Sequence, residues 1–168
     1  IALNIPTIAR GNFLIPGMPV IDHDCLSKAT IAAEHLIGCG LKHFAYCGYS
    51  KTYWSAELEK VFYQIIKKAG FDLIIYKSPG LRIRRLGDRG YRHMTDWIKT
   101  LPKPIGILAC NDDRGHHVIE SCKYAHARVP EEVAVIGVDN DELICEFCNP
   151  PLTSIRLNTE KAGYRAAE

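Results

Sequence analysis

Residues 107–121 read ILACNDDRGHHVIES, and the order of residue types in that stretch decides the fold. Ile107 to Cys110 is a short apolar run. Asn111-Asp112-Asp113 follows at once. A helical spacing then begins, with Val118, Ile119 and Cys122 on one face. A buried strand that passes straight into a helix is half of a β-α unit. The carboxamide and two carboxylates at the junction have two possible uses. They can cap the helix, or they can face a ligand, because open α/β sheets bind ligands beyond the carboxyl ends of their strands.

The same unit repeats outward in both directions. IPTIA (5–9) and PVI (19–21) predict short strands divided by a Gly/Pro loop. Ala29, Ala32, Ala33, Leu36 and Ile37 recur at helical spacing over 25–38, and Gly38 and Gly40 provide the stop. HFAYCG (43–48) predicts a buried strand. Leu58, Val61, Phe62, Ile65, Ile66 and Ala69 predict a helix over 54–69, with Leu58, Val61, Phe62, Ile65 and Ile66 buried, ended by Gly70. DLIIY (72–76) is a strand, followed by a loop bearing Arg82, Arg84, Arg85 and Arg89, read as a solvated run with anion or partner binding as the alternative, and a helix around 89–100. Strand 105–110, helix 114–127, strand 133–138, a polar cysteine-bearing segment, strand 153–157 and a helix from about 159 complete the chain. Strand and helix alternate throughout, which implies a parallel sheet with helices on both faces. Continuously apolar strands such as AVIGV fit that burial.

Composition agrees with a soluble globule: 168 residues, 47% hydrophobic and 24% charged. That length implies one domain, or one large domain with a piece of another. A net charge of +2 makes no case for a nucleic-acid surface within this stretch. The seven cysteines are an odd number and are read as free thiols of a reducing cytosol, neither a disulfide framework nor a zinc site. No apolar run is long enough to span a bilayer. The chain begins within an apolar segment and ends within a helical pattern, so it is expected to be a fragment.

Four strand ends carry a similar set of side chains: Asp22, His23 and Asp24; Tyr49, Ser50, Lys51, Tyr53 and Trp54; Asn111, Asp112 and Asp113; Asp139, Asn140 and Asp141. Carboxylates and carboxamides accept protons from hydroxyls, and an aromatic face covers the C–H side of a ring. The set suits a neutral polyhydroxylated ligand. Each member also has a structural use. Asp24 and either Asp112 or Asp113 can cap helices, and Trp54 can belong to the core. Asp139-Asn140-Asp141 has no helical stripe directly after it that would need a cap. Adjacent His116 and His117 point about 100° apart on a helix, cannot share a metal, and are read as solvated. No glycine-rich phosphate cradle, nucleophile elbow or zinc-protease motif is present. No catalytic group, metal or cofactor is expected.

Two blocks carry a family resemblance. VIDHDCLSKATIAAEHLIGCGLKHFAYCGYS (20–50) resembles the core of LacI/GalR-type regulators: a strand, an Asp, a helix ending in His-Leu, a Gly and a strand. PKPIGILACNDDRGHHVIESCKYAHARVPEEVAVIGVDNDELICEFCNPPLTSIRLNTEKAGYRAAE (102–168) resembles the same family's second block, an apolar strand, Asn-Asp, a helix, VPEEVAVIGVDN and PPLTSI. Within that family the chain looks most like the xylose operon regulators, which carry an AraC-type helix-turn-helix at the C-terminus.

The resemblance implies a periplasmic-binding-protein-like fold. Residues 25–149 would form the C-terminal subdomain of an effector-binding core, and residues 1–24 and 150–168 would be parts of the N-terminal one. It implies a cytoplasmic sugar sensor, most simply for xylose or another pentose, acting as a homodimer on operator DNA through a domain outside this stretch, with no membrane. It places sugar contacts at Asn111 and Asp139, with Asp24 beside the cleft and Asp112 and Asn140 next to the contacts. Family members commonly carry a sugar-clamping Arg where this chain has Leu58. Either Trp54 or Glu57 then orients the ligand, or the ligand differs. An extracytoplasmic sugar-binding protein of the same fold and, further off, a hydrolase using the strand-end carboxylates are the alternatives.

Overall fold

The computed structural model describes residues 7–10, 16–22, 24–49, 52–77 and 88–168. His23, Ser50, Lys51, Arg82, Arg84, Arg85 and the start of the first expected strand lie outside the described residues. Strands β1 (Ala9–Arg10) and β2 (Val20–Ile21) form a short parallel pair. Strands β3 (His43–Cys47), β4 (Leu73–Ile75), β5 (Ile105–Ala109), β6 (Val133–Asp139) and β7 (Thr153–Arg156) form an all-parallel sheet in the order β4-β3-β5-β6-β7. Helices α1 (Cys25–Gly38), α2 (Tyr53–Lys68), α3 (Asp88–Thr100), α4 (Asp112–Ala125), α5 (Glu142–Phe147) and α6 (Thr159–Ala167) fall between or after them.

The two-residue period of the strands divides the core into two layers. Phe44, Tyr46, Leu108, Cys110, Ile136 and Val138 pack against Ala29, Ala33 and Leu36 of α1 and Leu58, Phe62 and Ile66 of α2. Their alternates Ala45, Cys47, Ile105, Ile107, Val133 and Val135 pack against Met94 and Ile98 of α3 and Val118, Ile119 and Cys122 of α4. Helices therefore cover both faces, as the alternation of strand and helix predicts. Val61 and Ile65, expected to be buried, sit at the edge of the α2 stripe and are only half-buried.

The strand order fixes where a crevice opens. From β3 the chain steps outward through α2 to β4. It then returns through α3 past β3 to β5 and continues away through β6 and β7. Connections leave β3 and β5 in opposite directions, so the helices splay apart between their carboxyl ends. That is a topological switch point, the usual ligand crevice of an open parallel sheet.

Two elements differ from expectation. Helix α4 starts at Asp112, two residues before the predicted 114, because Asn111 caps it. The segment after β6 is a short helix, α5, capped by Asp141, whose carboxylate accepts from the backbone N–H of Leu143 at 3.1 Å and Ile144 at 3.2 Å. The sequence shows no stripe there because α5 leaves Leu143 and Phe147 exposed. Among the described residues no helix is long and apolar enough to cross a membrane.

Candidate functional site

Parallel register places four strand-end residues in one row. Cys47 pairs with Ala109, so two residues further on Tyr49 is level with Asn111. Leu108 pairs with Ile136, so three residues further on Asn111 is level with Asp139. Asp139 pairs directly with Arg156. Tyr49, Asn111, Asp139 and Arg156 thus line the carboxyl edge of the sheet, with the switch point between the first two.

Asn111 is half-buried, and its side-chain oxygen accepts from the Arg114 N–H at 3.0 Å. The cap of α4 is Asn111 and not Asp112 or Asp113, which corrects the assignment made from residue type. Asp112 is 1% exposed and turns inward. One carboxylate oxygen accepts from the Asp141 N–H at 2.7 Å, and the other accepts from the Ser154 hydroxyl. Ser154 in turn accepts from the Asn140 N–H at 3.0 Å. Asp112 therefore ties the ends of β5, β6 and β7 together. Gly137 makes this possible, because a methyl group there would overlap the Asp112 carboxylate. Burial pushes the Asp112 carboxyl above its ordinary range, and the bonds from Ser154 and Asp141 pull it back.

This tie holds Asp139 and Asn140 in unusual backbone. Their φ angles are 112° and 55°, in the left-handed region that L residues seldom adopt. Strain of this kind persists only where surrounding structure imposes it, and it gathers at functional sites. Asp139 remains partly exposed at a concavity of about 420 Å³ that Asn140, Asp141, Leu143, Arg156 and Leu157 also line. Its carboxyl is pushed up to about 6, by burial first and then by the neighbouring Asp112 carboxylate, with the Lys28 ammonium opposing.

Asp24 caps α1, accepting from the Ser27 N–H at 3.0 Å and the Ser27 hydroxyl at 2.6 Å. It borders a second concavity of about 480 Å³ with Ile21, Lys28, Ile155, Arg156 and Leu157. Arg156 and Leu157 are common to both concavities, so Asp24 and Asp139 flank adjoining spaces.

Trp54 and Glu57 line neither space. Glu57 is half-buried beside Cys25 at the start of α1. Trp54 is 40% exposed and meets Tyr49 edge-on, with centroids 5.8 Å apart. Tyr49 is buried against the end of β3, where its N–H donates to the Ser55 hydroxyl oxygen at 2.9 Å. The Tyr46 hydroxyl donates to the Ser55 carbonyl at 2.6 Å. Ser55 thereby fixes the turn from β3 into α2, and Gly48 leaves room for it. Leu58 is fully within the α1–α2 core.

Several contributors escape pattern reading. Ser154 lies in a strand that no motif marks as part of the site, 42 residues from the carboxylate it serves. Arg114 stands on the face of α4 that the apolar spacing assigns to the core. His117, read as solvated, is half-buried against Tyr91 with centroids 5.7 Å apart, and burial lowers its ring to about 4. All seven cysteines are free thiols. Cys145 and Cys148 stand in Cys-x-x-Cys spacing, which the reading of seven isolated thiols missed. Among the described residues no group of three potential ligands is placed to hold a metal.

An open parallel sheet with a switch point between β3 and β5, and with carboxylates and carboxamides along its strand ends, has the architecture of a ligand-binding α/β core. Residues 33–168 match the periplasmic binding protein-like domain, and the chain belongs to that family. The xylose operon regulatory protein of Haemophilus influenzae is 31% identical over 98% of this chain and 44% of its own length. That of Escherichia coli K12 is 31% identical over 91% of this chain and 40% of its own. A solved structure of the xylose-binding transcription activator xylR superposes with a TM-score of 0.83 at 28% identity, over 99% of this chain and 46% of that one. The chain thus spans less than half the length of these relatives. They are transcription regulators.

Proposed function

We propose that this chain is the effector-sensing core of a cytoplasmic, sugar-responsive transcription regulator, with xylose or another pentose as effector. The observation that carries this is the strained Asp139-Asn140 pair, held at the strand-end row by the Asp112–Ser154 tie in a chain that is similar to xylose operon regulators over nearly its whole length. A structure that spends backbone strain to present a carboxylate and a carboxamide to an open concavity is equipped to accept hydrogen bonds from hydroxyls.

Residues 25–149 act as the C-terminal subdomain. Residues 1–24 and 150–168 belong to the N-terminal one, and the sugar lies between the two. Asp139 and Asn140 supply acceptors, and Asn111 borders the site while capping α4. Asp24 lies at the wall. Asp112 acts behind these groups, holding the loop that carries them. The sugar favours the closed arrangement of the subdomains over the open one. That difference in affinity biases a DNA-binding domain outside this chain, in a homodimer on its operator. No chemical step is involved, and the protein is not an enzyme.

The test uses the full-length protein. D-xylose, D-ribose and L-arabinose are titrated calorimetrically, and operator affinity is measured with and without each. One pentose is expected to bind and to change operator affinity. Absence of pentose binding, or turnover of a glycoside abolished by Asp139→Asn, would contradict the proposal.

A further inference from the structure

The buried guanidinium at the switch point has no anionic partner among the described residues. Arg114 lies in the first turn of α4 and is 2% exposed. Its guanidinium carbon sits 4.1 Å above the centre of the Tyr49 ring and 6.0 Å from that of Tyr76. Its Nε is sealed from solvent without an acceptor. Lys123 and Arg128, by contrast, pair with Glu120 and Glu132 on exposed surface, where pairing matters least. A buried charge ordinarily demands a partner. An aromatic face recovers only part of the lost hydration and uses none of the five N–H donors.

Location suggests what the donors are for. The Arg114 charge acts on Cys47 and Tyr49 at the end of β3 and on Cys110 at the end of β5. Those are the two strands that flank the switch point. Along the strand-end row the donors are the exposed Arg156 guanidinium and the Asn111 and Asn140 carboxamides, and the remaining groups are acceptors and aromatic faces. Asp139 and Asn140 bring oxygens, Tyr49 and Trp54 bring rings, and the oxygens of Asn111 and Asp112 are already engaged. A sugar hydroxyl must accept as well as donate, and residue 58, buried as Leu, offers no donor.

We propose that Arg114 is the ligand-orienting cation of this site, donating its unused N–H groups to two neighbouring hydroxyl oxygens of a pentose. The inference rests on the sugar-sensing function proposed above. The planar fork of a guanidinium matches a vicinal pair of oxygens, and a lysine ammonium does not reproduce that geometry. Tyr49, stacked beneath the cation, keeps the fork in one plane, and Trp54 braces Tyr49 from its edge.

The test compares full-length wild type, Arg114→Met, Arg114→Lys and Asp139→Asn by calorimetry with D-xylose, 2-deoxy-D-xylose and 3-deoxy-D-xylose, alongside thermal melts without ligand. Arg114→Met is expected to weaken D-xylose binding tenfold or more. At least one deoxy sugar, which binds wild type more weakly than D-xylose, should bind Arg114→Met as well as D-xylose does. Arg114→Lys should show the same lost discrimination, and it carries the test if the Met variant does not fold. Discrimination among the three sugars that survives in both variants, or survives in the Lys variant when the Met variant does not fold, would overturn the proposal. Arg114 would then only support the packing of Tyr49. Weaker binding by Asp139→Asn with unchanged Arg114 variants would overturn this proposal and leave the sugar-sensing function standing. No pentose binding by wild type would overturn both.

Discussion

Asp139 and Asp112 are both carboxylates at strand ends, yet the structure puts them to different uses, and each use has a measurable consequence. The Asp139 carboxyl titrates at about 6, against an ordinary 3.8, because burial and the Asp112 charge disfavour its ionised form. Between those values the folded chain holds more protons than the unfolded one, so this group's contribution to stability falls as pH rises through the window. Asp139→Asn should therefore raise the melting temperature of the ligand-free protein above pH 6, and the gain should shrink towards pH 4. Sugar affinity should change in the opposite sense, rising with pH through about 6 as the acceptor ionises. A melting difference that is flat across this range would show that Asp139 is not the titrating group. Asp112 has a structural use first. Asp112→Ala leaves the Asp141 N–H and the Ser154 hydroxyl without their acceptor, at a cost of about 2–4 kcal/mol in urea unfolding at pH 7. A loss below about 1 kcal/mol would mean that other groups replace the tie. Sequence identifies both residues as polar ends of buried strands. It does not distinguish them, because the distinction depends on Ser154, which reaches Asp112 only once β7 lies beside β6.

Elements were legible in proportion to how much apolar surface each one buries. Helix α2 shows a stripe because Leu58, Phe62 and Ile66 face the sheet, all 1% exposed or less. Phe62→Ala should cost about 3–5 kcal/mol by chemical denaturation, as core aromatic truncations do. A cost near zero would show that the register of α2 is wrong. Helix α5 shows no stripe because its six residues hold their place by a cap and by Ile144 and Cys145 against the core beneath α3 and α4, with Phe147 82% exposed. Asp141→Ala should remove that cap, costing about 1 kcal/mol. It should also speed amide hydrogen exchange at Leu143 and Ile144, whose N–H groups Asp141 holds. Unchanged exchange at those two amides would mean that α5 is held by packing alone. Strand existence followed from short apolar runs, whereas lateral order did not. Nothing local tells β3 to lie between β4 and β5, and the switch point exists only in that order.

At the scale of the molecule, alternating strand and helix were enough to indicate a sheet covered on both faces, and two cores of similar make-up confirm it. What escaped was the convergence of distant residues: Arg114 above Tyr49, and Asp112 with Ser154. Free thiols suit a reducing compartment. Titration of unfolded, unreduced full-length protein should find Cys25, Cys39, Cys47, Cys110, Cys122, Cys145 and Cys148 all free, and peptide mapping that finds any of them in a disulfide would point to an oxidising one. We propose above that the strand-end row beside the switch point is a sugar site. The most direct test is calorimetric titration of full-length wild type and Asp139→Ala with D-xylose, each paired with a ligand-free melt. Losing one charge-assisted hydrogen bond should weaken binding by about 1.5–3 kcal/mol, roughly ten- to a hundredfold, with the fold intact. Unchanged affinity together with a much lower melting temperature would make Asp139 a structural residue and contradict the account.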